Sequence, residues 1–522
     1  MLSTVNPTMP RALLVSEILS NIIDYINVNV DERAALQRKA RYVTPSGPTL
    51  FALALTCRAF SEHALDALWH TLIGLEPLMR CAGIILARGQ RLRKQDYPII
   101  PTEAQLAIIG RYSYRVRFFK PYSVWSRPVE SFLQTLAYSS KVLMSNLRDL
   151  RVTSYYSAHL LRPLLGLRLR RMRIEVSASV YDELDLDFWQ RISLHMILRS
   201  LPTTCPSLES FEFNVKSSSR PSPWDVPLAL PVSYAIQKMP KLRAVTVPAI
   251  TKDALTYLGG LSSFTSIKTR LPTSRDLEDI LDPSRGPLLF ENLNTVDWEI
   301  AEWRDVEVFT RLWPHKLTSM SLRSEVKFDP SLLQVLFDSL HTREAFRNLQ
   351  CIRLSEPYHR QFSSSNVITI DTIRPLFYLS HLRVVDIETI SCLDIGKVDL
   401  EEMGEAWPCL EVLLLKTYGS MSGAARPSLS EVARFVKRYP CLKELCIGIT
   451  INYVDHDYDM EEESLHALEP RDSDSRLESL VMKYPSDEND IWETYWFRLG
   501  ILFTKLFPQL KPGSIHLRSD RF

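Results

Sequence analysis

Glycine is scarce in this chain, at 16 of 522 residues. Loops that cradle phosphate or fold under a nucleotide need glycine's access to positive φ and its close backbone approach, so a nucleotide enzyme is disfavoured. Cysteine is scarce as well. The eight present include no Cys-x-x-Cys pair, and the closest two, Cys441 and Cys446, fit no common zinc spacing. Reduced structural thiols and a cytoplasmic or nuclear setting are the expectation. Net charge is almost absent: 62 Lys and Arg against 61 Asp and Glu leave +1. The electrostatic attraction that dominates nucleic-acid affinity is therefore missing. No apolar run approaches the roughly 18 residues of a membrane span. Met1 to Pro10 also lacks the basic and apolar regions of a secretory signal.

Motifs of catalysis are missing too. There is no nucleophile elbow, zinc-protease helix, P-loop or dinucleotide fingerprint, and the 11 histidines contain no i, i+4 pair. Asp455, Asp457 and Asp459 begin like a calcium loop, but Met460 stands where glycine is needed and His466 where glutamate is needed. With the acidic residues that follow, this segment reads as a surface loop. No catalytic residue, cofactor or metal is expected, and the chain reads as a non-enzyme.

Leucine is abundant, at 75 positions, and much of it occupies one phase of a repeat. Apolar residues recur in the order apolar, two residues, apolar, one residue, apolar. Examples are Leu147-Leu150-Val152, Leu169-Met172-Ile174, Leu208-Phe211-Phe213, Leu293-Val296-Trp298, Leu349-Ile352-Leu354 and Leu410-Leu413-Leu415. Twelve occurrences run from Leu147 to Leu477, 22 to 39 residues apart, with Thr269 in one third slot. The final alternation is that of a strand with one buried face. Between these strands lie stretches of helical apolar spacing, at 181–201, 329–345, 371–379 and 428–439. In the last, Ser428 and Glu431 are placed as a capping box. Proline often precedes the strand leucine, at Pro206, Pro240, Pro408 and Pro440, where it stops the helix. A strand–helix unit buries its face only against its neighbours, so the pattern predicts a parallel-stranded solenoid of class α/β. The structural competitor is an α/β enzyme domain.

The repeat resembles the leucine-rich-repeat family in a degenerate form, over residues 111–522. It lacks the regular Asn or Cys that follows each strand in that family. Arg162, Arg168, Arg170, Arg171 and Arg173 form a basic cluster that reads better as a solvated strand face than as a phosphate site. A second basic stretch, 88–94, falls in an expected helical linker at 73–110.

Residues 10–72 read as a separate helical module with a polar insertion at 27–48. Leu14, Ile18, Leu19, Ile22, Ile23 and Ile26 share a stripe; helical spacing resumes at Leu50 and ends at Leu68-Trp69. So small a module leaves apolar surface over, which points to a partner. These residues resemble the F-box: Leu14-Val15-Ser16-Glu17-Ile18-Leu19 matches its first helix, and Thr56-Cys57-Arg58-Ala59-Phe60 with Leu68-Trp69 matches its second half. Ser16 replaces the family proline and Phe60 the usual tryptophan. The resemblance, of the type found in fungal F-box proteins with degenerate leucine-rich repeats, implies a substrate receptor of a Skp–cullin–F-box ubiquitin ligase. It implies that Leu14, Glu17, Ile18, Leu19, Ile22, Cys57, Arg58, Phe60 and Trp69 meet a Skp-family adaptor, and through it a cullin, while the repeats hold a protein substrate. Leu19 and Trp69 fit the module's interior equally well. A leucine-rich scaffold without ligase linkage is the other reading, and a plain helical cap on the array is the alternative for the module.

Overall fold

The structure is a computed structural model. It describes residues 17–19, 21–23, 47–84, 98–121, 125–139, 141–154, 158–177, 188–216, 225–273, 290–302, 316–325, 327–342, 346–356, 366–417, 426–449, 476–484, 503–507, 509–510 and 515–519. Leu14, most of the 27–48 insertion, the basic stretch 88–94 and the acidic segment 455–474 lie outside these. The chain divides into two compact units, Met1–Leu242 and Arg243–Phe522, a boundary that the repeat spacing does not announce.

The first unit opens with helical turns at 17–19 and 21–23, then α1 (Gly47–Thr56), α2 (Arg58–His70), β1 (Thr71–Leu72), α3 (Glu76–Cys81) and α4 (Glu103–Ser113). It continues through β2 (Phe118–Phe119), α5 (Arg127–Tyr138), β3 (Asp149–Ser154), a 3₁₀ turn (Ala158–Leu164), β4 (Arg171–Ser177), α6 (Phe188–Thr204), β5 (Ser210–Lys216) and α7 (Asp225–Ile236). β1 to β5 pair in sequence order and in parallel. The sheet therefore begins at Thr71, directly after α2, within the segment that the sequence assigns to the helical module.

The second unit holds β6 (Ala244–Ala249), α8 (Lys252–Gly259), β7 (Ser266–Arg270), β8 (Thr295–Ile300), β9 (Ser319–Ser324), α9 (Pro330–Thr342) and β10 (Cys351–Ser355). After it come β11 (Val367–Thr369), α10 (Ile370–Ile373), a 3₁₀ turn (Arg374–Tyr378), β12 (Val384–Thr389), β13 (Cys392–Asp394) and α11 (Lys397–Ala406). The unit ends with β14 (Val412–Thr417), α12 (Leu429–Arg438), β15 (Glu444–Gly448), β16 (Ser479–Tyr484) and β17 (Ile515–Ser519). Its main sheet runs β6-β7-β8-β9-β10-β12-β14-β15-β16-β17, with β11 and β13 forming a separate pair. Every described pairing is parallel. The strand order within each unit has no reversal, so neither carries the topological switch point of a doubly wound enzyme.

All twelve apolar triplets fall on strands or their entry turns. In the first unit Leu150, Met172 and Phe211 are in register, and Val152, Ile174 and Phe213 form the next row. In the second, one row joins Val245, Ile267, Val296, Met320, Ile352, Val385 and Leu413. All of these are buried. A one-residue slip would put the whole row in water, so burial itself fixes the register. Thr269 is buried in its slot, where its hydroxyl donates to the Arg270 carbonyl at 3.3 Å.

The prolines do more than stop helices. Leu208 N donates to Cys205 O at 3.2 Å, and Leu410 to Trp407 and Leu442 to Tyr439 at 3.1 Å. Pro206, Pro408 and Pro440 thus occupy the second position of a tight turn, where the ring's fixed φ is already correct. One carbonyl of the preceding repeat then accepts two successive amides. Arg170 O takes Glu209 N (2.7 Å) and Ser210 N (2.9 Å), and Gln350 O takes Arg383 N (2.7 Å) and Val384 N (2.9 Å). Turn and ladder are set together. On the helical layer α12 starts with the expected capping box: Glu431 N donates to Ser428 Oγ at 3.4 Å, and Ser428 N to Glu431 Oε2 at 2.9 Å. Gly404 on α11 faces the Tyr439 ring so closely that a Cβ there would overlap it.

Candidate protein-interaction surfaces

The helical module is built on a short sequence with too many apolar residues for its size. Within α1, Gly-Pro-Thr-Leu-Phe-Ala-Leu-Ala-Leu-Thr, apolar side chains point all round. Leu50 enters a small core with Ile23 and Ala64, flanked by Leu53, Ala54, Ala67 and Leu68. Phe51 and Leu55, one turn apart on the same helix, remain 56% and 71% exposed. The first helical turns divide in the same way. Leu19 and Ile23 face inward, whereas Ile18 and Ile22, four residues apart, are 39% and 38% exposed.

The residues carried over from the F-box pattern thus separate. Glu17, Ile18, Ile22 and Arg58 are exposed; Cys57 and Phe60 are half-buried; Leu19 and Trp69 are core and offer no outward contact; Leu14 lies outside the described residues. Phe51 and Leu55 were missed by the sequence reading, which assigned α1 no site residue. Its lack of a polar face was the available signal.

The module is fixed to the sheet that follows. Trp69 stacks on Tyr112 with ring centroids 5.0 Å apart. Arg115 is nearly buried, pairs with Glu62 Oε2 at 2.5 Å and with Asp66, and donates to the Glu62 carbonyl at 3.3 Å. Its hydrogen bond and charge hold the Glu62 carboxyl below the usual carboxylate range. Arg117 N then donates to His70 O, and Lys120 N to Leu72 O, both at 3.0 Å.

The second surface is the face of each sheet that the helices do not cover. In the first unit it carries charge. Asp149 pairs with Arg171 (3.0 Å) and Arg151 (3.4 Å), Arg173 with Glu212 (3.3 Å), and Arg170 with Glu209 (3.6 Å). Arg168 donates to Asn146 Oδ1 at 2.6 Å. The basic cluster is largely engaged by neighbouring carboxylates and amides, and Arg162 lies in a 3₁₀ turn off the strands.

In the second unit the character changes along the sheet. β7 to β9 present ion pairs: Lys268 with Asp297 at 2.5 Å, Arg323 with Asp297 at 3.1 Å, and Arg270 with Glu325 at 2.5 Å. From β12 onward apolar residues join the charged ones in the outward rows. Val384 is in register with Val412, while Leu414 lies between Asp386 and Cys446, and Val481 follows Cys446. Val384, Val412, Leu414 and Val481 are half-buried rather than core. The Lys416–Asp386 pair (3.0 Å) and Glu444 border them.

Among the described residues no three His, Cys, Asp or Glu side chains come together to hold a metal. No described helix is long and apolar enough to cross a membrane. Burial pushes the Glu356 carboxyl up, but its oxygens accept from Ile390 N at 2.7 Å and from Phe328 N. That geometry clamps two loops.

No protein-family model matches the chain, and no curated protein matches its sequence. Among solved structures, an internalin from Listeria monocytogenes aligns over 85% of this chain and 95% of its own, at 11% identity and a TM-score of 0.32. A superposition that weak carries no inference about fold or function.

Proposed function

We propose that this chain is a non-enzymatic protein-interaction scaffold, and that the uncovered face of its strands holds a protein partner. The observation that carries the reading is the apolar patch Val384, Val412, Leu414 and Val481, ringed by charge, on an otherwise ion-paired surface. An apolar centre with a polar rim is the composition of a protein interface rather than of a solvated face. Nothing in the chain then needs to do chemistry; it holds its partner by shape and charge. The test is affinity purification of the intact chain beside a V412E/L414E variant. Partners held by the wild type and lost from a folded variant support the reading. An identical partner set removes it.

A second reading is favoured by the exposed pairs Ile18–Ile22 and Phe51–Leu55. Ile18 and Ile22, with Glu17 and Arg58, match the outward part of the F-box resemblance, and Phe51 and Leu55 add exposed apolar surface to the same module, so the module would dock a Skp-family adaptor and join the scaffold to a cullin-based ubiquitin ligase. The mechanism would be proximity: tethering raises the local concentration of a substrate lysine near the ubiquitin carrier. Co-purification with a Skp adaptor tests it. If the wild type fails to bind the adaptor, or an I18D/I22D variant binds as the wild type does, the ligase linkage is lost and the scaffold remains.

A further inference from the structure

On the helical layer of the first unit, α6 and α7 leave an open groove of about 670 Å³ lined by Ile192, His195, Met196, Arg199, Leu230, Pro231 and Tyr234. Each helix has already used its inner side. Leu194, Ile197, Leu198 and Leu201 of α6, and Leu228, Val232, Ala235 and Ile236 of α7, are buried. The groove is therefore lined by a second apolar side, with Met196 66% and Leu230 71% exposed and Tyr234 beside them. Helices that served only to cover the sheet would present polar residues there. Its ionisable lining groups are His195 and Arg199, with no carboxylate. The Arg199 guanidinium stands 5.9 Å from the Tyr234 ring centroid, and among the described residues no carboxylate pairs with it. Methionine, proline and tyrosine give an adaptable apolar floor, and one fixed cation lies at its edge.

We propose that this groove docks a short acidic peptide segment of a partner protein, which seats a bulky apolar side chain between Met196, Leu230 and Tyr234 and sets a carboxylate against Arg199. The charge of the lining chooses the occupant: a basic peptide would meet Arg199 with no carboxylate among the described lining residues, whereas an acidic one gains a pairing with that guanidinium.

The test uses the full chain and a phage-displayed library of random 16-residue peptides, with an M196D/L230D variant for counter-selection. Both positions are exposed, so the variant should keep the wild-type circular dichroism and melting temperature. Should it not, R199E alone serves, since that side chain leaves the core untouched. The expected result is a set of variant-sensitive peptides with an aromatic or aliphatic anchor and a flanking Asp or Glu. Their affinity should fall about tenfold or more in M196D/L230D and by a smaller factor in R199E. Variant-sensitive peptides without acidic enrichment, or no variant-sensitive peptides at all, overturn the proposal. A concentration-dependent dimer of the wild type that M196D/L230D abolishes assigns the groove to a second copy of the chain and overturns it too.

Discussion

The strand repeats and the N-terminal helices use the same apolar residue types and reach opposite outcomes. In the repeats each buried row continues into the next strand: Leu150 lies against Met172 and Met172 against Phe211, and none of the three meets solvent. A parallel array closes its interior by adding copies, and every added copy covers the one before. Among the described residues the helices have no such neighbour on their outer side. Their core is Ile23, Leu50 and Ala64 with a few half-buried companions, and Ile18, Ile22, Phe51 and Leu55 stay outside. Surplus apolar surface in the repeats is absorbed by length. In the helices it stays available to a partner.

The contrast breaks most visibly if the repeats tolerate what they should not. Trp298 is completely buried in the second row of β8, and truncation to alanine is expected to cost about 3–5 kcal/mol in chemical denaturation, through lost burial and the cavity left behind. A loss below about 1 kcal/mol would mean that the row is not a packed interior. Next in size is G404A. Its Cβ would overlap the Tyr439 ring, so a loss of about 1–3 kcal/mol is expected, and a second change, Y439L, should recover part of it in a double-mutant cycle. Additive losses would show that the two helices do not meet there. S428A removes one member of the α12 capping box and should lower stability by about 1 kcal/mol.

At the helices the expected effect on stability is much smaller. I18D/I22D and F51D/L55D should change thermal stability by about 0.5 kcal/mol or less, because exposed apolar side chains contribute little to the fold, while any partner held there is lost. The smallest effect concerns Glu62. Its carboxyl is held low by Arg115, so it adds stability at neutral pH that disappears as pH falls below the ordinary carboxylate range. The side chain is mostly exposed, and screening limits the gain to a fraction of a kcal/mol. E62Q should therefore flatten the acid limb of the stability profile only slightly.

How much of this could be read beforehand follows from where the information sits. The twelve strands were legible because period-two alternation with one buried face is a local pattern, repeated often enough to exclude chance. The capping box at Ser428 was legible for the same reason: both partners lie within four residues. The first sheet strands were not. Thr71–Leu72 and Phe118–Phe119 are two residues long, too short to show any period, and only their pairing in space reveals them. The division after Leu242 depends on contacts across long separations, so no spacing announces it. At the N-terminus the stripe was visible, but which of its members face outward was not. Leu19 and Ile18 are neighbours in sequence with the same chemistry, yet Leu19 is buried and Ile18 is 39% exposed, a difference that only the folded packing sets. Phe51 and Leu55 are not marked by the resemblance, whose only match in that helix is Thr56, its last residue.

Native-state hydrogen exchange on the intact chain tests most directly whether the repeats close on themselves while the helices do not. Amides of β3 to β5 and of β8 to β14 are expected to exchange only through large-scale opening of their unit, whereas α1 and α2 exchange through local opening of lower free energy. Equal protection of the N-terminal helices and the strand rows would contradict the account, since it would mean that the helices are as fully packed as the array.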